Sequence, residues 1–239
     1  MTTNIKPLLS VEHLEISFQD AGNFQPIVHD VSFQIYPGEI VALTGPSGCG
    51  KSLTAHSIVG LLESGCKVTN GQIYYKDKNI IDYDLKNWQT LRRDEIALLI
   101  QDSLNGLNPI LTVKKQMAET LKQKKKWPKK DMNIYLHSLL NQVGFTDSDY
   151  ILSSYPFELS GGMRQRILLA MMLSLSPKIF IADEPTTALD IINREKVLTL
   201  LKELRQKFEI SVLLISHDNE SINKFADRVI QMDQGGILI

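Results

Sequence analysis

The stretch LTGPSGCGKS, residues 43–52, sets three glycines, a lysine and a serine directly after the apolar run EIVAL at 39–43. The spacing Gly45-x-x-x-x-Gly50-Lys51-Ser52 matches a phosphate-binding loop. In such a loop the backbone from Gly45 through Pro46, Ser47, Gly48 and Cys49 to Gly50 turns successive N–H groups inward around phosphate oxygens. Lys51 then neutralises the β- and γ-phosphates, and the Ser52 hydroxyl holds Mg²⁺. A helix predicted over 53–62, opening at Leu53, adds the partial positive charge of its N-terminus. The bland alternative is a strand–turn–helix corner that uses glycine for geometry alone.

Two further stretches carry candidate chemistry. FIADE, 180–184, ends an apolar run in adjacent carboxylates. Asp183 is placed to hold Mg²⁺ near the phosphate loop, and Glu184, at the strand exit, to act as general base toward a water attacking the γ-phosphate. Taken alone, the pair also reads as a strand end capping its own loop. ELSGGMRQR, 158–166, opens a helix with Ser160, Gly161 and Gly162, which is a second anion site by helix polarity. It lacks the spaced lysine of the first loop, and taken alone it reads better as an ordinary serine-capped helix.

The elements that must position these residues are legible in the apolar pattern. Residues 9–18 and 27–35 alternate apolar and polar side chains, as half-buried strands do, and Asn70-Gly71 before QIYY reads as a turn leading into a strand. These form an antiparallel sheet near the N-terminus. The continuous apolar runs at 39–43, 178–182 and 211–215 read instead as strands buried on both faces of a parallel sheet. After Asp190, the spacing of Val197, Leu200, Leu201, Leu204 and Phe208 predicts an amphipathic helix. From about 103 the pattern turns helical and polar, as an inserted helical subdomain does. Its lysine-rich stretch LKQKKKWPKK, which holds the run Lys122–Lys130, is read first as a solvated face and second as a contact for anionic lipid or a partner.

Composition sets the outer bounds. The chain has 239 residues, 43% hydrophobic and 22% charged, with a formal net charge of −1, so it is globular and carries no general footprint for nucleic acid. Its two cysteines, Cys49 and Cys66, make no metal cluster by themselves, and Cys49 lies inside the phosphate loop, which points to a reducing cytoplasm. No signal-peptide core stands at the N-terminus, and the greasiest later stretch, 167–175, is far below the ~20 residues that span a bilayer. Any membrane part of its task is therefore expected from other chains.

LSGGMRQR before FIADEPTTALD and LLISHD, all downstream of the phosphate loop, resembles the ATP-binding subunits of ABC transporters across nearly the whole chain. The resemblance implies an α/β fold over a single nucleotide-binding domain, 1–239. That domain has a P-loop NTPase (RecA-like) core, an N-terminal antiparallel β subdomain and an inserted α-helical subdomain at about 103–170. It implies two subunits that sandwich two ATP molecules head to tail, with Ser160, Gly161, Gly162 and Gln165 of the signature stretch serving the nucleotide held by the other subunit. That would explain an anion site with no lysine of its own. Phe18 resembles the aromatic that stacks on adenine, and Gln101 the glutamine that senses Mg²⁺ and the attacking water. Gln101 also resembles the mark of the groove that receives a helix from the membrane subunit. Asp190 resembles the aspartate that couples the two sites, and His217 the switch histidine that contacts the γ-phosphate.

DSLNGLNPILTV after Gln101, together with GKSLT, resembles the peptide and nickel importer branch. The implied assembly has two integral-membrane permeases, this ATPase at the cytoplasmic face, and a second related ATPase or a second copy. An external solute-binding protein acts indirectly, and no nucleic acid takes part. Two departures stand out. The tail after the last expected strand is short and carries no cysteines for an iron–sulfur cluster, which mildly favours nickel or metal chelates over peptides as cargo. IINREK after Asp190 differs from the V-x-x-Q pattern of the branch. An exporter subunit and a soluble non-transport ABC ATPase are the competing readings.

Overall fold

The computed structural model describes residues 6–20, 23–101, 106–124, 126–186, 190–218 and 222–238. Two sheets organise them. The first is antiparallel, in the order β2-β1-β4-β5, from β1 (Leu9–Asp20), β2 (Asn23–Ile35), β4 (Cys66–Tyr75) and β5 (Lys78–Asn79). The second has the order β10-β9-β3-β8-β7-β6. Its strands are β3 (Ile40–Thr44), β6 (Ile96–Leu99), β7 (Ile179–Asp183), β8 (Ser211–Ser216), β9 (Arg228–Asp233) and β10 (Gly236–Ile237). All its pairings are parallel except that of β9 with β10. The helices are α1 (Lys51–Ile58), α2 (Leu85–Asp94), α3 (Val113–Lys124), α4 (Lys129–Gln142), α5 (Ser148–Ser153), α6 (Gly161–Ser174) and α7 (Ile191–Phe208).

The continuous apolar runs are the central strands because both faces of the parallel sheet are covered. Side chains alternate across a strand, so each run divides between two cores. Ala42, Phe180, Ala182, Val212 and Leu214 join α3, α4, α6 and α7 on one face. Val41, Leu43, Ile179, Ile181, Leu213 and Ile215 join the antiparallel sheet and α1 on the other. Each fully buried Val, Leu or Ile contributes about 1.5–3 kcal/mol. The cost of misplacing one such strand therefore fixes its register and, with it, the residues at its C-terminal end.

Two local expectations are corrected. Asn70-Gly71 is no turn; it lies within the continuous strand β4. On β1, Glu12 pairs with Gln72 and Glu15 with Asn70, so His13 and Leu14 stand opposite Gly71 alone, as in a β-bulge. Gly71 has φ 88°, and a Cβ there would come within 2.3 Å of the His13 carbonyl oxygen. The glycine therefore serves the bulge. The helix after the phosphate loop begins at Lys51 and ends at Ile58, short of Leu62, because Gly60 turns the chain with φ 62° and the Leu61 amide closes onto the His56 carbonyl.

The lysine-rich stretch spans the end of α3 and the start of α4, where Trp127 stacks on Tyr135 with ring centroids 5.0 Å apart. Lys125 lies outside the described residues. Among the described residues no helix is long and apolar enough to cross a membrane.

Candidate functional site

Three strands of the parallel sheet deliver the candidate residues to one place, the C-terminal edge where open α/β sheets hold ligands. The loop after β3 leads into α1, Asp183 ends β7, and His217 follows β8. The loop bends tightly against its surroundings: Gly45 has φ 147°, and a Cβ there would lie 2.1 Å from the Met232 carbonyl oxygen on β9. Only glycine fits, which is the physical reason for that residue at the loop's entrance. Pro46, Ser47 and Gly48 are exposed at the loop's outer turn, while Cys49 is buried, so Cys49 offers a ligand its backbone and not its thiol.

Lys51 is buried to 5% exposure and donates from Nζ to the carbonyls of Gly45 at 3.0 Å and Pro46 at 2.8 Å. It thus spans the loop from inside. Ser52 Oγ donates to Oδ1 of Asp183 at 3.0 Å, and Asp183 is 1% exposed. A hydroxyl and a buried carboxylate make a hard oxygen donor set, which fits Mg²⁺ held by one or two protein oxygens with water and phosphate supplying the rest. Leu53 packs its side chain against the core between the two sheets.

Glu184 follows on β7 with φ 45°, a left-handed conformation uncommon for a residue other than glycine. Its amide donates to the Ile215 carbonyl at 3.0 Å, which anchors the turn. Gln101 Nε2 donates to Glu184 Oε2 at 3.2 Å, and His217 Nδ1 lies 3.2 Å from Oε1. Ser47, Gly48, residues 50–53, Gln101, Glu184 and His217 line a cleft of about 410 Å³. That arrangement can bind a polyphosphate at one end and present a carboxylate to water at the other.

The remaining expected residues lie elsewhere. Ser160 caps α6, accepting from the Met163 amide at 3.4 Å, and with Gly162 it lines a separate groove of about 680 Å³ beside α7. Gly161 begins that helix. Asp190 caps α7 and is exposed, and its carboxylate accepts from both the amide (3.0 Å) and the side chain (2.6 Å) of Asn193. These bonds, the backbone one first, hold its pKa below the usual carboxylate value. Phe18 is 39% exposed on β1, its ring resting on Gly65.

Gln165 differs from the expectation. It faces inward, 2% exposed, and its side-chain amide donates to the Pro185 carbonyl at 2.8 Å. Helical periodicity turns position 165 away from the exposed end marked by Ser160, so in this chain Gln165 braces the segment after Glu184. Sequence reasoning also missed His56, on α1, whose Nε2 lies 3.4 Å from Asp183 Oδ2. Its signal was only that it stands one turn beyond Ser52 on the same helix.

The ABC transporter family model matches residues 28–187. Among curated proteins, the dipeptide transport ATP-binding protein DppD of Bacillus subtilis is 44% identical over 97% of this chain and 69% of its own length. The oligopeptide transport ATP-binding protein AppD of the same organism is 43% identical over 97% of this chain and 71% of its own. Among solved structures, the ATP-binding cassette MJ0796, dimeric and bound to ADP and Pi, superposes with a TM-score of 0.83 at 27% identity, covering 97% of both chains. CbiO1 from Clostridium perfringens, part of the CbiONQ transporter complex, gives 0.85 at 26% identity over 98% of this chain and 87% of that one. With its α/β P-loop fold and this similarity along its length, the chain belongs to the ABC transporter family.

Proposed function

We propose that this chain is the ATP-binding and ATP-hydrolysing subunit of an ABC importer that takes up peptides. One observation carries the reading: a single cleft joins Lys51, the Ser52–Asp183 pair, and a Glu184 carboxylate held between Gln101 and His217. The names of the relatives, dipeptide and oligopeptide transport proteins, favour peptides over the metal chelates that the short tail favoured.

In this mechanism the loop amides from Ser47 to Ser52 and the Lys51 ammonium bind the β- and γ-phosphates of ATP, with Phe18 stacking on adenine. Ser52 and Asp183 hold Mg²⁺, which draws negative charge off the γ-phosphate when bound. Glu184 accepts the proton of the attacking water on the carboxylate that Gln101 and His217 hold in place, one at each oxygen. Ser160, Gly161 and Gly162 receive the γ-phosphate of ATP bound to a second subunit, a copy of this chain or a related ATPase. Asp190 couples the two sites across that dimer. Closed and open dimers then differ in stability according to the nucleotide bound, and this difference drives the membrane partners.

The partners are two integral-membrane permeases, with an external solute-binding protein acting through them. The chain sits peripherally at the cytoplasmic face of the membrane. An apolar groove of about 670 Å³ beside Gln101, formed by Leu61, Leu98, Ile100, Leu168, Met171 and Leu175, suits an apolar helix of a permease. The domain comprises 1–239, and the helices between β6 and β7 form its inserted subdomain.

The test is extraction from membranes in mild detergent, followed by mass spectrometry of bound proteins and ATPase assay of the complex with added peptides. Two permeases and turnover stimulated by peptide are expected. Soluble partners alone would overturn the transport reading and leave the ATPase chemistry standing.

A further inference from the structure

The segment after Asp190 makes a contact that the mechanism above does not use. Arg194, one turn into α7, donates from Nη1 to Oδ2 of Asp218 at 2.5 Å. Both side chains are about three-quarters buried, 25% and 23% exposed. Solvent therefore screens this pair less than the surface pairs that contribute little. A guanidinium also stays charged at any working pH.

What the pair joins gives it consequence. The Arg194 amide donates to the Asp190 carbonyl at 2.8 Å, so the guanidinium hangs from the turn that Asp190 caps. Asp218 directly follows His217, and its amide donates to Ser216 Oγ at 3.0 Å. His217 in turn stands against Glu184. A continuous series of contacts thus runs from Asp190 through Arg194, Asp218 and His217 to Glu184. It links two loops whose sequence connection passes through the whole of α7 and β8.

We propose that Arg194 is a positioning residue for hydrolysis. By holding Asp218 it fixes the backbone from which His217 reaches Glu184, and it ties that geometry to the α7 turn capped by Asp190. The inference rests on the hydrolytic roles proposed above for Glu184 and His217.

The experiment uses the full chain, purified together with its membrane partners. It compares kcat, KM for ATP and nucleotide affinity for Arg194→Gln, Asp218→Asn, the double variant, Arg194→Lys and the exchanged pair Arg194→Asp with Asp218→Arg. His217→Ala is the control. Arg194→Gln should lower kcat about tenfold while KM and nucleotide affinity stay within about twofold. The double variant should be no worse than the poorer single one, because residues acting as one contact are not additive. Arg194→Lys or the exchanged pair should recover part of the loss, and either keeps the test decisive should the glutamine variant fail to fold. A kcat within about twofold of wild type, a loss confined to KM, or single effects that multiply would each overturn the tie. Full turnover in His217→Ala would bring down the roles of His217 and Glu184 themselves, whereas an inactive His217→Ala beside a fully active Arg194→Gln would remove Arg194 alone.

Discussion

His217 Nδ1 and Glu184 Oε1 stand 3.2 Å apart, and Gln101 Nε2 reaches the second oxygen of the same carboxylate at 3.2 Å. A carboxylate gripped from both sides keeps one orientation, and its left-handed backbone, φ 45°, directs it into the cleft. General-base catalysis depends on that fixed reach. Glu184→Gln keeps the shape and the hydrogen-bonding neighbours but cannot take a proton. Steady-state hydrolysis should fall by about two orders of magnitude or more while ATP affinity by calorimetry is retained. Near-normal hydrolysis would remove Glu184 from the role.

Lys51 spans the loop through the carbonyls of Gly45 and Pro46 and is almost wholly buried. Lys51→Ala removes the one side-chain cation of the loop and leaves two carbonyls without their donor. A hydrogen bond to a charged group contributes about 1.5–3 kcal/mol, so nucleotide affinity should weaken by roughly 10- to 100-fold. An unchanged dissociation constant by calorimetry would sink the assignment.

Much of this architecture is local and therefore legible before folding. The runs that became β3, β7 and β8 are apolar throughout because both faces of each strand are covered, and the glycine spacing of the loop encodes its own bend. What stayed hidden depends on residues distant in the chain. Gly71 looks like a turn until His13, from another strand, is found opposite it as the bulge. Gln165 belongs to a stretch with chemical character, yet only the packing of α6 turns its amide to Pro185. His56 near Asp183 and Arg194 on Asp218 need the placement of α1 and α7 against strand ends, which no local pattern carries.

The bulge makes a stability prediction. Gly71→Ala forces a side chain onto a backbone with φ 88° and brings its Cβ within 2.3 Å of a carbonyl oxygen. Neither strain can be relieved by a side-chain rotation, since both are set by main chain. The loss should exceed about 1 kcal/mol in urea unfolding followed by circular dichroism. A midpoint equal to wild type would mean that β1 and β4 pair in a different register.

Asp190 makes a prediction about pH. The Asn193 amide and then its side chain hold the folded pKa of Asp190 below its ordinary value of 3.8. A group with a depressed folded pKa contributes stability that is fully present above its unfolded pKa and is lost as pH falls through the folded one. The gap in urea midpoint between wild type and Asp190→Ala should therefore be greatest near neutrality and shrink only below about pH 4. A gap that stays constant down to pH 2.5 would show that the ionised cap plays no part.

Ser160 and Lys51 lie in different clefts of the same chain, and that separation makes the shared-site arrangement testable. Ser160→Arg places a bulky cation at the exposed N-terminus of α6 and removes the cap on the Met163 amide, which costs about 1 kcal/mol of stability. The phosphate loop is untouched, so ATP should bind the isolated chain with wild-type affinity. A phosphate delivered by a second subunit would meet a blocked helix end, so small-angle scattering with ATP should show loss of the closed dimer. The Glu184→Gln background is the right one, because it prevents hydrolysis from reopening the dimer during the measurement. Reduced ATP binding by the monomer would place Ser160 in this chain's own nucleotide site, and intact closure would mean that the α6 N-terminus receives no phosphate from the partner.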